Sequence, residues 1–177
     1  PRTVGMAAEG NTYVGFLYAG LMIDDSGAPR VVEFNCRFGD PEAQPVMMRL
    51  QTDLVTLCEA ALAGTLDKHT IDFDPRAAIG VVLAAGGYPD AYAKGKVIDG
   101  LDRPAPANAK LFHAGTRLDN GKVVTNGGRV MCATALGNTV SQAQTGAYQL
   151  AANIQWDNIY YRRDIGWRAI ARERGKA

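Results

Sequence analysis

Ten consecutive residues carry most of the chemistry this chain can offer: Glu33-Phe34-Asn35-Cys36-Arg37-Phe38-Gly39-Asp40-Pro41-Glu42. The preceding Val31-Val32 marks an extended run, and on a strand alternate side chains share a face. Glu33, Asn35 and, continuing the series, Arg37 therefore project together, while Val32, Phe34 and Cys36 are expected to point into a core. A carboxylate and an amide oxygen two residues apart are hard oxygen ligands, the type Mg²⁺ prefers; that ion takes few protein ligands and fills its octahedron with water and phosphate oxygens. Arg37 adds a planar fork suited to a carboxylate or phosphate. Asp40 and Glu42 place two more carboxylates at the rim, with Pro41 biasing Asp40 toward an extended conformation. The plain alternative is an amphipathic strand whose exposed face carries Glu, Asn and Arg and ends in a loop, because short spacings specify function loosely.

The elements that must hold these residues can be read on either side. Tyr13 to Ile23 is rich in aromatic and aliphatic residues, Asp24-Asp25-Ser26-Gly27 supplies turn chemistry, and Arg30 to Asn35 resumes as a strand; so short a connection predicts an antiparallel pair. A loop punctuated by Gly39, Pro41 and Pro45 leads to a helix with Leu54, Leu57, Cys58, Ala61 and Leu62 on one buried stripe and Gly64 at its end. Residues 67–75 read as a polar linker between a unit at 1–66 and a second at 76–177. In the second, Ala77 to Ala85 and Lys110 to Thr116 are strands, and Asp119-Asn120-Gly121-Lys122 predicts a type I′ hairpin turn. Arg129 to Leu136 completes a meander, and Thr139 with Gln142 has the spacing of a capping box. The helix it opens has the stripe Val140, Ala143, Ala147, Leu150, Ala151 and Ile154. The fold class expected is α+β: antiparallel strands with helices, then a small mixed α/β domain with the meander.

Composition narrows the function classes. The 177 residues are 47% hydrophobic and 21% charged, the balance of a packed globular chain rather than a disordered one. With 19 Lys+Arg against 18 Asp+Glu, the net charge of +1 argues against a dedicated nucleic-acid or membrane-surface binder. No apolar run reaches the length of a bilayer span, and no secretory leader opens the chain, which begins at Pro1 without an initiator Met and is expected to be a fragment or processed piece. Three scattered cysteines without a CxxC pair suggest reduced thiols and a cytoplasmic protein. Cys58 and Cys132 fall on apolar faces, and none of the three has a base nearby in sequence. His69 reads as solvated, His113 as a structural strand histidine, and Gly86-Gly87 and Gly127-Gly128 as turns.

Longer strings go further. Tyr13-Val14-Gly15-Phe16-Leu17-Tyr18-Ala19-Gly20-Leu21-Met22 followed by Glu33 to Glu42 resembles the phosphoribosylamine–glycine ligase (glycinamide ribonucleotide synthetase) family of the ATP-grasp superfamily. The resemblance continues in order through Ala84-Ala85-Gly86-Gly87-Tyr88-Pro89, Phe112-His113-Ala114-Gly115-Thr116, Thr125-Asn126-Gly127-Gly128-Arg129-Val130 and Arg163-Asp164-Ile165-Gly166. It implies the later part of an ATP-grasp unit at 1–66 and the family's C-terminal domain at 76–177. It also implies an ATP-dependent joining of glycine to 5-phosphoribosylamine through glycyl phosphate, a step of purine synthesis. On that likeness Glu33 and Asn35 are the ligands of a Mg²⁺ or Mn²⁺ ion bridging to the ATP phosphates, Arg37 binds the glycine carboxylate or the acyl phosphate, and Asp40 or Glu42 binds the ammonium or ribose hydroxyls. The implied partners are these small molecules and the N-terminal and earlier ATP-grasp portions of the same enzyme, with neither nucleic acid nor membrane. The sequence departs from the pattern of a whole enzyme in two respects: it contains no G-x-x-x-x-G-K-[ST] or G-x-G-x-x-G loop, and Tyr18 to Ile23 carries no acid that could be a further metal ligand. This chain alone is therefore expected to be inactive. A noncatalytic α+β docking module is the competing reading.

Overall fold

The computed structural model describes residues 4–175. The chain forms two compact units: one from the residues up to Ala43 together with Leu50–Phe73, the other from Gln44–Arg49 together with the residues from Asp74 onward.

In the first unit a short helix α1 (Val4–Ala8) precedes two antiparallel strands, β1 (Tyr18–Ile23) and β2 (Pro29–Asn35). The expected extended run from Tyr13 shortens because residues 13–17 are tied locally: the Tyr13 hydroxyl donates to the Phe16 carbonyl, and the Phe16 and Phe38 rings stack with centroids 4.1 Å apart. The β1–β2 connection is held by Asp24, whose Oδ1 accepts from the Ser26 and Ala28 amides at 3.0 and 3.1 Å. The Ser26 hydroxyl, 2.6 Å from the same oxygen, is the main cause of the Asp24 carboxyl lying below its ordinary range.

Three burial expectations fail here. Val32 and Phe34 are 67% and 61% exposed. A two-stranded ribbon has no second layer of its own, so its apolar side stays at the surface. Cys36, just past the end of β2 at Asn35, is exposed as well.

Helix α2 (Ala43–Arg49) replaces the expected loop: Pro45 sits in its first turn, where an absent N–H removes no helical bond. Helix α3 (Leu54–Ala63) ends as read from sequence, with Gly64 in the left-handed conformation at φ 70°, and it opens on Asp53, whose Oδ1 accepts from the Thr56 amide at 2.8 Å. Its stripe is narrower than the heptad-like spacing predicts: Leu57 and Ala60 are buried, whereas Leu62 is 81% exposed. Residues 67–75 carry local contacts of their own. A 3₁₀ turn (Leu66–Lys68) opens them, the Asp72 amide donates to Thr52 Oγ1 at 2.7 Å, and Phe73 bridges to Leu50.

The second unit is built on the sheet order β3–β7–β4, with β3 (Ala77–Ala84), β4 (Ala109–His113) and β7 (Arg129–Gly137) antiparallel. Strands β5 (Thr116–Asp119) and β6 (Lys122–Thr125) pair with each other, and Val124 of β6 also bridges to Val97. The run expected as a meander is thus a hairpin nested inside another, since β4 pairs with β7 across the β5–β6 ribbon. Asn120 and Gly121, at φ 48° and 78°, make the predicted turn. Helix α4 (Val140–Asn153) covers the sheet through Ala143, Ala147, Leu150 and Ala151. With Val81, Leu83, Val130, Met131 and Ile154 they form the core, each large aliphatic contributing roughly 1.5–3 kcal/mol on burial. Gly137 allows the approach: a Cβ there would run into the Ala143 amide.

Two polar devices fasten this unit. Thr139 Oγ1 accepts from the Gln142 amide at 3.1 Å, and Gln142 Oε1 accepts in return from the Asn138 amide, one residue before the position a capping box would use. Glu173, at the end of α5 (Trp167–Glu173), adds a second cap, accepting from the Val140 amide at 2.7 Å. Glu173→Ala should lower unfolding free energy by about 1 kcal/mol, the usual worth of a cap at a helix N-terminus; urea denaturation monitored by circular dichroism measures it.

Asp74, only 8% exposed, is the other fastening. Arg76 grips it with Nη2 to Oδ2 at 2.6 Å and Nε to Oδ1 at 2.9 Å, the Arg76 amide donates to Oδ1 at 2.9 Å, and Arg49 Nε donates to the Asp74 carbonyl at 2.9 Å. The Arg76 hydrogen bonds hold the carboxyl down at about 2. A carboxyl lowered in the folded state stabilises fully above its unfolded value near 4, and that contribution is lost as pH falls toward 2. Asp74→Asn should therefore unfold at lower denaturant than the parent at pH 7, and the two midpoints should converge as pH approaches 2.

Candidate functional site

The candidate residues lie on β2 and the turn that follows it, all within the first unit. Glu33 stands opposite Gly20 and Asn35 opposite Tyr18 in the β1–β2 register, so the two side chains share a face. Between the Gly20–Glu33 and Leu21–Val31 pairs the register shifts, leaving Val32 unopposed. Such a bulge bends the strand locally and re-aims the side chains beside it.

Glu33 is exposed and Asn35 half-buried. The Asn35 Nδ2 atom is buried without a hydrogen-bond partner, while Oδ1 takes only a long 3.5 Å contact from Arg37 Nη2. A buried amide donor left unpaired is costly, and it calls for an oxygen acceptor supplied from outside these residues. Arg37 lies past the strand end, so alternation does not place it. Its guanidinium folds back instead, with Nη1 donating to the Phe38 carbonyl at 2.8 Å, and so comes beside Asn35.

Asp40 and Glu42 follow in a turn and are exposed. The Glu42 carboxylate lies over Gly39, which is buried, with the Tyr18 ring on the same spot: a Cβ on Gly39 would stand 2.7 Å from Tyr18 Cε2. Among the described residues no three His, Cys, Asp or Glu side chains gather where a metal ion could sit. Asp40 and Glu42 thus do not join Glu33 in a carboxylate cluster, and the oxygens available to an ion on β2 are one carboxylate and one amide. That set fits a hard divalent cation that completes its shell with water and phosphate oxygens.

Sequence reasoning passed over Gly20, Gly39 and Tyr18. A glycine inside a strand pattern often marks a close approach of another group, and that was the available signal for Gly20. Tyr13 is a further neighbour: desolvation pushes its phenol up, and a hydrogen bond with Cys36 adds to the effect. His113 is exposed in the second unit, its Nδ1 3.1 Å from Thr116 Oγ1, and His69 is exposed as expected.

Comparison with known proteins gives the class first. The biotin carboxylase domain of the Hydrogenobacter thermophilus 2-oxoglutarate carboxylase superposes with a TM-score of 0.61 over 89% of this chain and 35% of its own, at 16% identity, a likeness of fold. Residues 1–43 match the family described as phosphoribosylglycinamide synthetase, ATP-grasp (A) domain. The chain is therefore of the ATP-grasp class, an α+β arrangement of antiparallel sheets and helices. Residues 78–168 match the phosphoribosylglycinamide synthetase, C domain, and the chain belongs to the phosphoribosylglycinamide synthetase family.

Phosphoribosylamine–glycine ligases of Vibrio cholerae and Pseudomonas aeruginosa are 68% and 64% identical over 99% and 100% of this chain. The ligase of Thermotoga maritima superposes with a TM-score of 0.75 at 39% identity, covering 91% of this chain and 39% of that one. The chain spans 41% of the length of these two curated relatives. No helix among the described residues is long and apolar enough to cross a membrane.

Proposed function

We propose that this chain is the later part of a ligase that joins glycine to 5-phosphoribosylamine at the expense of ATP, and that Glu33, Asn35 and Arg37 are its contribution to the chemistry. The observation that carries the reading is the pairing of Glu33 and Asn35 on one face of β2, with the Asn35 amide lacking an acceptor. The family assignment of both units supports it.

In the proposed reaction a glycine carboxylate oxygen attacks the γ-phosphorus of ATP, ADP leaves, and the sugar's amine then attacks the carbonyl of glycyl phosphate, releasing phosphate. Glu33 and Asn35 would hold the divalent cation, Mg²⁺ or Mn²⁺, whose charge offsets that of the transferring phosphoryl group. Arg37 orients the glycine carboxylate or the acyl phosphate through its fork, and Asp40 or Glu42 accepts from the ammonium or the ribose hydroxyls. The units read as 1–66 and 76–177 are proposed to be the ATP-grasp portion and a supporting domain, joined at 67–75, in a cytoplasmic enzyme. This chain on its own is expected to be inactive, because phosphoryl transfer needs positioning from several sides and the sequence holds no glycine-rich phosphate loop.

The test uses the full-length protein that carries this segment, with ATP, 5-phosphoribosylamine and glycine labelled with ¹⁸O in its carboxylate. One labelled oxygen should pass into each inorganic phosphate released. Phosphate free of label overturns activation through an acyl phosphate, and no glycine-dependent ADP release at all would favour the docking-module reading.

A further inference from the structure

Gly20 is a costly residue for its place. It lies inside β1, where a glycine weakens a strand for want of side-chain packing and for its greater conformational freedom when unfolded. It is not among the glycines with positive φ, so no backbone conformation demands it. What distinguishes the position is the residue across the ladder: a Cβ on Gly20 would stand 3.0 Å from Glu33 Cγ. That is nearer than side chains ordinarily pack, so the methylene carrying the Glu33 carboxylate would have to move. The register shift lies next to this pair, where a bulge re-aims neighbouring side chains. Gly20 and the bulge together therefore fix where the carboxylate stands relative to Asn35.

We propose that Gly20 is a positioning residue: its bare Cα seats the Glu33 side chain across β1, and a side chain at that position displaces the carboxylate and weakens binding of a divalent cation. The proposal rests on the reading of Glu33 as a metal ligand given above. It predicts an uncommon combination. Gly20→Ala removes a strand glycine at ordinary φ, which by itself maintains or raises stability, yet it should weaken metal binding about tenfold, the scale seen when a ligand's support is lost.

The experiment measures Mn²⁺ binding to the full-length protein in the presence of ADP, counting free Mn²⁺ by electron paramagnetic resonance, alongside thermal unfolding without metal. Five proteins are compared: parent, Gly20→Ala, Glu33→Gln, the double variant and Gly20→Val. Gly20→Val supplies a larger side chain that strands also favour. The expected result is a Mn²⁺ dissociation constant about tenfold higher in Gly20→Ala and higher again in Gly20→Val, with thermal midpoints at or above the parent's. In the Glu33→Gln background Gly20→Ala should add nothing, because the group it positions has lost its charge. If Glu33→Gln weakens Mn²⁺ binding and Gly20→Ala does not, the positioning role is overturned while Glu33 keeps its assignment. If the two effects simply add, or if midpoint and affinity fall together in Gly20→Ala, Gly20 acts on the strand and the proposal is equally overturned. Unchanged Mn²⁺ binding in Glu33→Gln removes the metal-ligand reading itself, and the role of Gly20 with it.

Discussion

Glu33→Ala in the full-length protein is expected to reduce glycine-dependent ADP release by about 10²–10³-fold, the loss typical of deleting one preorganised electrostatic contact to a transition state. The fold should be intact, because Glu33 is an exposed strand side chain with little packing to lose. Asn35→Ala should cost less, because the oxygen it removes is neutral and the Glu33 carboxylate stays in place. His113→Ala is the control from the second unit. Its imidazole faces solvent and touches Thr116, and the variant should change turnover far less than Glu33→Ala. Initial rates of ADP formation with matched thermal midpoints decide the matter. Near-normal release by Glu33→Ala, or an equal loss in a folded His113→Ala, would show that the β2 residues do not hold the chemistry.

How far the sequence disclosed this fold follows from how local each signal is. The Asn120-Gly121 turn, the Gly64 helix end, the Thr139 cap and the α4 stripe all depend on interactions within a few residues, and all stand where the sequence puts them. The misreadings concern what lies across from an element. Alternation identifies two faces of β2 but not whether anything covers the apolar one, and the two-stranded ribbon has no core on the side of Val32 and Phe34. The order β3–β7–β4 could not be read either: nothing local shows that β4 bypasses its neighbour β5 to pair with β7. Pro45 misled because proline breaks a helix interior yet is tolerated in a first turn, and the two cases differ only in where the helix begins.

The site was legible as a list of residue types and less so as a geometry. Glu33 and Asn35 followed from a period of two. Glu173 capping α4, Arg76 on Asp74 and Gly20 beneath Glu33 each join residues by a relation that composition does not encode. Gly20 is instructive because its contribution is an absence. A bare Cα is conspicuous only once the register supplies the residue opposite, and the register is set by the Asp24 turn and the bulge at Val32.

Arg37→Lys is the sharper test of how substrate is held. Strand alternation puts Arg37 beside Asn35, but the chain bends at Cys36 and the guanidinium arrives there by folding back. One arm is committed to the Phe38 carbonyl at 2.8 Å, which fixes the plane of the fork. Lysine retains the charge but presents an ammonium on a flexible stem, without the parallel donors that match a carboxylate. The Michaelis constant for glycine should therefore rise about tenfold, equivalent to roughly 1.4 kcal/mol of lost charge-assisted bonding. If the arm acts on the bound carboxylate throughout the reaction, turnover at saturating glycine should change little, since such binding is uniform between ground and transition states. A fall in turnover at constant Michaelis constant would move Arg37 from the glycine carboxylate to the acyl phosphate, where charge develops only as the phosphoryl group transfers. If neither constant changes, the Phe38 contact accounts for the arginine and its role is confined to holding the turn. The distinction matters for the Asn35 amide, whose oxygen now receives only the long contact from Arg37. In Arg37→Lys that oxygen loses even this neighbour, so metal affinity measured alongside the kinetics separates an effect on glycine from one transmitted through Asn35.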